Sequence, residues 1–362
     1  MKNNLYVDVH VLQTVPPSCV NRDDTGSPKT AVYGGTNRAR VSSQAWKRAM
    51  RMMFKEMLEA DKIGFRTRNV KQLLINKLFE LAPDKREEDI AKIAEIALEA
   101  SKIKSGGDKK DVLFFISSVQ LEALAKVALE YDEDDSSKKE KEQKFKKRWQ
   151  EALNGKPSVD MLLFGRMAAS DPELNCEASA QVAHCISTHE VSNEFDYFTA
   201  VDDYDEDGSG AGHIGTVEFN SSTLYRYATV NVGELYQSSL STDEVADAVK
   251  GFVEAFIKSM PEGKQNSFAN RTLPFYTYVT IREDQPINMV GAFEKAVAKT
   301  REGYGSNSIK ALEDFMEKVY GSFAEKPKKS WVVSLENTAV DAKRVKMSEL
   351  LAEVSAEVST FE

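Results

Sequence analysis

Leu5, Val7, Val9 and Val11 alternate with Tyr6, Asp8, His10 and Leu12 at the start of the chain. A period of two puts successive side chains on opposite faces of a strand, so this stretch reads as a first strand with one face in a core, ended by Pro16-Pro17. Residues 18 to 33 are polar and read as a loop. The period then changes. Trp46, Met50, Met53 and Met57 recur at helical spacing, giving a helix one apolar face, and Ser42 or Ser43 supplies a hydroxyl to cap it. Val70, Leu73, Leu74, Leu78 and Leu81 keep the helical period until Pro83. Ile90, Ile93 and Ala97, then Phe115, Val119 and Leu124, then Phe145, Trp149 and Leu153 give three further amphipathic segments. Gly106-Gly107 and the acidic run Asp132 to Asp135 mark breaks between them. The block from 60 to 180 therefore reads as an all-helical insertion into a strand-bearing domain.

Strand signals return after residue 180. Phe195 to Val201 and Ile214 to Phe219 flank the acidic, Gly-rich run Asp202 to Gly212, the pattern of a long hairpin. Thr223 to Val232, Leu273 to Ile281 and Ser330 to Leu335 read as strands. Asp243 to Met260, Asn288 to Lys299 and the tail from Ala339 read as helices. Strands separated by helices in this order predict an α+β chain with a ferredoxin-like, RNA-recognition-motif-like core. No fixed-period repeat runs through it.

Composition narrows the class without naming an activity. At 362 residues there is room for two domains, and 41% hydrophobic with 29% charged content is that of a soluble globular chain. No apolar run approaches the ~20 residues of a membrane span. The N-terminus lacks an apolar signal core, so the expectation is a cytoplasmic protein with no membrane partner. Cys19, Cys176 and Cys185 show no CxxC spacing, which excludes a disulfide framework.

Charge is distributed unevenly. The chain carries −9 overall, yet between residues 22 and 55 eight Lys or Arg face only Asp23 and Asp24. Lys47, Arg51 and Lys55 recur at i, i+4, i+8, with Gln44 and Arg48 beside them. A helix N-terminus already favours anions, and Arg38, Arg40, Lys47 and Arg51 extend that preference into a row of phosphate-sized positions. A solvated basic face gives the same pattern. Gly34-Gly35 ahead of the helix allow close approach to another backbone.

Other motifs fail on context. Gly208 to Gly212 follow an acidic run and precede a strand, the wrong order for a dinucleotide loop. Asp203, Asp205, Asp207 and Gly208 imitate a calcium loop, but Ile214 stands where the closing Glu belongs. Gly263-Lys264-Gln265 lacks the upstream Gly and the Ser/Thr of a P-loop and reads as a turn. Cys176, His184, Cys185 and His189 are the one grouping with metal-ligand chemistry. Cys185 and His189 have i, i+4 spacing on a helix face, yet no second ligand pair brackets them, so packing is the expectation and no metal or cofactor is assigned. No nucleophile elbow occurs. Asp23 and Asp24 are the only carboxylate pair positioned to hold Mg²⁺ beside a phosphate track; shaping the loop is their plainer role.

Several of these stretches also occur, in order, in a known family. Pro17 to Asp24, Tyr33-Gly34-Gly35 and Arg40 to Arg51, then Gly165-Arg166-Met167-Ala168, Ala183-His184, Thr188-His189 and Phe198 to Asp203, then Tyr225-Arg226-Tyr227-Ala228, Gly263-Lys264-Gln265 and Ala292 to Val297, resemble the CasC backbone subunits of type I-E CRISPR Cascade complexes. The likeness is weakest between 60 and 150 and after 300. It implies a ferredoxin-like palm (1–59, 181–194 and 222–362), helical fingers (60–180) and a hairpin thumb (195–221). It implies a non-enzymatic subunit that binds CRISPR guide RNA, stacks head to tail with copies of itself and other Cascade subunits, and supports recognition of target DNA. Phosphate contacts are implied for Arg22, Lys29, Arg38, Arg40, Lys47, Arg51, Arg166 and Lys264, polar contacts for Ser42 and Gln44, and base wedging or stacking for Met167, Tyr197 and Phe198 with Thr199 alongside. Lys141, Lys144, Lys147 and Arg148 would face target DNA, and the acidic hairpin tip would meet the 38–51 region of the next copy. The competing class is a Mg²⁺-dependent, RNA-cleaving CRISPR backbone subunit that uses Asp23 or Asp24.

Overall fold

The computed structural model of the chain describes residues 4–103, 112–134, 136–168, 171–200 and 211–361. In chain order the elements are β1 (Tyr6–Ser18), β2 (Thr30–Tyr33), β3 (Thr36–Val41), α1 (Ser43–Met57), β4 (Gly64–Thr67), α2 (Val70–Leu81) and α3 (Glu87–Ala100). Then come β5 (Phe114–Ser117), α4 (Ser118–Glu133), α5 (Lys138–Leu153), α6 (Val159–Phe164), β6 (Ala180–Val182), β7 (Cys185–Ser187), β8 (Glu194–Ala200) and β9 (Ala211–Asn231). The last third holds α7 (Val232–Tyr236), α8 (Thr242–Lys258), α9 (Gln265–Phe268), β10 (Tyr276–Arg282), α10 (Gly305–Ser322), β11 (Lys329–Ser334), β12 (Lys343–Arg344) and α11 (Met347–Ser359). The chain divides into two units: Met1–Met53 with Ala180–Tyr236 and Leu240–Glu362, and Phe54–Ser179 with Gln237–Ser239. Among the described residues no helix is long and apolar enough to cross a membrane.

The first unit is an α+β structure on one mostly antiparallel sheet in the order β12-β11-β10-β1-β9-β7-β3-β2, with β6 and β8 also pairing β9. β1 lies between β10 and β9, and both its faces are covered by packed elements, so Asp8 and His10 are as buried as Val7 and Val9. That corrects the expectation of a one-sided strand, and β1 also runs past Pro16-Pro17 to Ser18. The ladder shifts register between Val15 and Ser18, a bulge in which two residues without N–H groups are tolerated. On one face Leu12, Tyr225, Tyr227, Tyr276 and Tyr278 pack against Ile309, Leu312 and Met316 of α10 and against Met289 and Phe293. Arg226, paired in register with Val11, lies on the opposite face and reaches the Phe256 carbonyl of α8.

β9 is one continuous strand through the two stretches expected separately. The helix expected over 288–299 is only a 3₁₀ turn at Met289–Phe293. Arg38 takes the carbonyls of Phe293 and Glu294 that a continuing helix would need. Cys185 and His189 fall on β7 and the turn after it, not on a helix.

The second unit is helical apart from a two-stranded ladder, β4 with β5, which places Phe115 in a strand instead of the third helix expected there. Its core gathers Val70, Leu74 and Leu78 with Ile90, Ile93 and Ala97, Leu121 and Leu124, and Phe145, Trp149 and Leu153. Those are the spaced positions of α2 to α5. A capping box at Ser117 and Gln120 starts α4.

Below the sheet of the first unit runs a buried polar network. Asp8 accepts from the Tyr227 hydroxyl at 3.0 Å and from the Ile287 amide at 2.9 Å. His10 Nδ1 lies 2.9 Å from the Tyr225 hydroxyl, which also receives the Met289 amide at 3.1 Å. Burial pushes Asp8 up to about 6 and pulls His10 down to about 3. Because the folded-state value of Asp8 lies above its ordinary one, its contribution to stability is fully present below about pH 4 and is lost as pH rises through about 6. An Asp8→Asn variant should therefore lose on the order of 3 kcal/mol less between pH 4 and 7 than the parent chain, read from urea unfolding midpoints; equal slopes would remove Asp8 as the titrating group.

Candidate nucleic-acid interface

The loop between β1 and β2 is tied down by its own polar groups. Asp23 Oδ1 accepts from the Thr25 amide at 2.9 Å, the Thr25 hydroxyl at 2.7 Å and the Ser27 amide at 3.0 Å, which holds its carboxyl below the usual range. Asn21 receives the Ser42 amide on its side chain at 2.9 Å and the Lys29 amide on its carbonyl at 2.8 Å. Ser42 in turn caps α1, accepting from the Ala45 amide at 3.3 Å. Gly263 closes the other side. A Cβ there would sit 2.1 Å from the Val20 carbonyl oxygen, so only Gly lets the 263–265 turn dock on the loop. Lys264 follows in a left-handed conformation, φ 50°. Burial raises the Cys19 thiol; the charges of Arg22 and Lys264 act to lower it, and those of Asp23 and Glu218 to raise it.

Arg22, Lys29, Arg40, Lys264, Ser42 and Gln44 are thus gathered around the N-terminus of α1. Arg40 is oriented by the Thr30 carbonyl at 3.2 Å and by His184 Nδ1 at 3.3 Å. Among the described residues none of Arg22, Lys29, Arg40 and Lys264 forms an ion pair with a carboxylate. Further along α1, Lys47 and Arg51 are half-buried, and desolvation pulls Lys47 down. The buried stripe of the helix is Trp46, Met50 and Phe54, with Met53 and Met57 at its margin instead of within it.

Two arginines expected on phosphate are interior. Arg38 is fully buried: Nε donates to the Thr36 hydroxyl at 2.7 Å, and its terminal nitrogens donate to the carbonyls of Ser187 (3.0 Å), Phe293 (3.0 Å) and Glu294 (3.2 Å). Arg166, also buried, donates to the carbonyls of Leu174, Phe115 and Leu153 and to Gln120 Oε1. With their donors spent on backbone acceptors, both are corrected to struts in this conformation. Met167, beside Arg166, is 85% exposed.

On the β8–β9 hairpin, Tyr197 and Phe198 point to opposite faces, as neighbours on a strand must. Phe198 lies across Gly215, where a Cβ would be 2.4 Å from its ring. Tyr197 instead shares its face with Phe195, and both are about two-thirds exposed. The aromatic pair is therefore Phe195 and Tyr197; Thr199 is exposed alongside. Of the acidic tip expected to meet a neighbouring copy, Asp202 to Gly212, the part from Asp202 to Gly210 lies outside the described residues. On α5 the basic residues are engaged: Lys144 with Asp134, Lys147 with Glu151, Arg148 with Glu130, and Lys141 with the Tyr131 carbonyl and ring. Among the described residues no three His, Cys, Asp or Glu side chains converge as a metal site. His189 is occupied otherwise, stacked on Tyr304 and accepting the Thr223 amide at Nε2. Asn21 and His184 fall within stretches that carry the resemblance but were not expected as members of this cluster; the fold brings them to it.

Residues 7–357 match the model of a family described as CT1975-like protein. A chain of a structure described as "CRISPR RNA-guided surveillance complex, pre-nicking" is 30% identical, with 97% of this chain and 99% of that chain covered and a TM-score of 0.80. A second, from a "CRISPR RNA-guided surveillance complex", is 27% identical over 97% and 99% of the two chains, at a TM-score of 0.63. No curated protein matches.

Two glycine substitutions separate docking of the 263–265 turn from generic glycine effects. Gly263→Ala should cost about 1–3 kcal/mol, because the Val20 backbone has to move. Gly321→Ala, in α10 with nothing within 4 Å, should stabilise by about 0.5–1 kcal/mol. Urea unfolding of both variants checks the pair, and a neutral Gly263→Ala would mean the turn is not docked.

Proposed function

The chain belongs to the CT1975-like protein family, and from that premise we propose that it is a backbone subunit of a type I-E CRISPR RNA-guided surveillance complex. In this reading it binds and shapes the guide RNA, supports recognition of target DNA, and stacks head to tail with its own copies and with other subunits in the cytoplasm. The observation that carries the reading is the contrast in charge pairing. Arg22, Lys29, Arg40 and Lys264 form no ion pair with a carboxylate among the described residues, whereas Lys144, Lys147 and Arg148 of α5 each do. Unpaired cations beside a capped helix N-terminus suit a run of phosphates. The first unit would serve as a ferredoxin-like palm, Phe54–Ser179 as fingers and the β8–β9 hairpin as thumb. On the thumb, Phe195 and Tyr197 offer faces to which any base can stack. Exposed ion pairs are worth little, so the α5 carboxylates can give way to DNA phosphates in a weak, transient contact. Sequence is read by base pairing between guide and target, while the protein holds the backbone.

No chemical step is assigned to the chain. Asp23, the better placed of the two candidate carboxylates, is spent on its own turn. Replacing Arg22 and Lys264 together by Gln should weaken binding similarly for all single-stranded RNA sequences and flatten the salt dependence by about 1.4 in log–log slope. An unchanged slope would sink the phosphate track. Purified particles should carry a discrete small RNA and leave complementary RNA intact in Mg²⁺. Regular cuts that vanish in an Asp23→Ala, Asp24→Ala variant would establish the nuclease reading instead.

A further inference from the structure

His184 stands in the turn between β6 and β7 and is exposed. Its Nδ1 lies 3.3 Å from a guanidinium nitrogen of Arg40, which has protons only to give. Nδ1 is therefore the acceptor, and the imidazole proton is on Nε2, at the other edge of the ring. Nε2 has no partner among the described residues. The charged groups that bear on the ring are Arg40 of β3 and Lys29 of the preceding loop. The Arg40 amide also donates to the Lys29 carbonyl at 2.9 Å, so the three side chains issue from one hydrogen-bonded patch. A neutral donor beside Arg40, with Lys29 also bearing on it and neither cation in an ion pair among the described residues, is an arrangement for an anion with several acceptor oxygens.

We propose that His184, Arg40 and Lys29 form a single phosphate-binding triad for the RNA backbone, in which His184 takes up a proton from solvent as the phosphate binds. This rests on the guide-RNA reading above. Without an anion, burial first and then the Arg40 and Lys29 charges hold the imidazole below its ordinary pKa, so at neutral pH it is uncharged. A phosphate placed against all three groups reverses the local field and favours the imidazolium. Protonation ends the Arg40–His184 hydrogen bond, and the phosphate oxygens then bridge the two cations. RNA affinity rises as pH falls, by about tenfold for each pKa unit that the bound phosphate adds.

The test uses the full chain and an oligouridylate, whose bases do not titrate in the range, from about pH 8 to about pH 5.5. Calorimetry in two buffers of different ionisation enthalpy reads the proton uptake. The parent chain should bind more tightly at low pH with net uptake of a proton. His184→Gln keeps a donor and an acceptor, so it should match the parent near pH 8 but lose both the pH dependence and the uptake. His213→Gln, the control, should behave as the parent does. Undiminished pH dependence in His184→Gln overturns the proposal while leaving RNA binding intact. Absence of RNA binding in the parent chain at every pH would instead overturn the guide-RNA reading.

Discussion

A buried cation with no carboxylate partner among the described residues fixes the geometry of the first unit. Arg226 is fully buried, its guanidinium 3.7 Å above the Trp46 ring and 4.7 Å from Phe256. It donates to Gln13 Oε1 at 2.6 Å and to the Phe256 carbonyl. Burial pulls it down to about 9, which leaves it charged at neutral pH. An isolated charge in an apolar interior is very costly unless polar or π partners replace water. Each of those partners comes from a different element: Gln13 from β1, Trp46 from α1, Phe256 from α8. Satisfying one guanidinium therefore fixes the entry angle of α1 against the sheet. The Ser42 cap, the Asn21 side chain that grips it, and the cations of the neighbouring loop follow from that placement.

Arg38 repeats the device at the other end of β3. Its bonds to the carbonyls of Phe293 and Glu294 pin an irregular segment that a helix would otherwise occupy, and Gly34 packs against the same Glu294 carbonyl. Arg166 does likewise inside the second unit. Carbonyl acceptors satisfy a guanidinium without neutralising it, and the planar fork reaches several at once. Arginine in this chain thus divides into several populations. One props backbone from within, as Arg38, Arg166 and Arg226 do; another, Arg22 and Arg40, forms no ion pair among the described residues, while Arg86, Arg148 and Arg282 each pair with a carboxylate.

That division was not legible in the sequence. Arg38 and Arg40 are two residues apart, hence on the same side of one strand, yet Arg38 is buried and Arg40 partly open. What separates them is the 293–294 backbone, some 255 residues away in the chain. Local patterns did better where one period decides burial. The stripes of α2, α3 and α5, the capping serine of α1 and the strands β8, β10 and β11 were readable, because each needs only its own residues. Burial of the second face of β1 was missed because it depends on α10 and the 289–293 turn. The Tyr197–Phe198 pair failed for a simpler reason: neighbours on a strand cannot share a face, and once the strand is known the partner of Tyr197 has to be Phe195.

Charge counts alone would rank α5 as highly as α1, since both carry basic residues at helical spacing. The difference lies in what faces them. On α5, Asp134, Glu151 and Glu130 already occupy the cations, and Asp134 is held well below the usual carboxylate range by Lys144. An incoming phosphate there has to displace a partner. Around Asn21 the Asp23 carboxylate is turned into its own loop, and Arg22, Lys29, Arg40 and Lys264 form no ion pair among the described residues, so a phosphate displaces no paired carboxylate there. Releasing counter-ions is the main source of affinity for nucleic-acid backbone, and it is available only where the protein has not already supplied an anion. In the proposed reading, tight, sequence-independent grip therefore belongs to the loop and helix start of the first unit. What remains for α5 is contact weak enough to be exchanged.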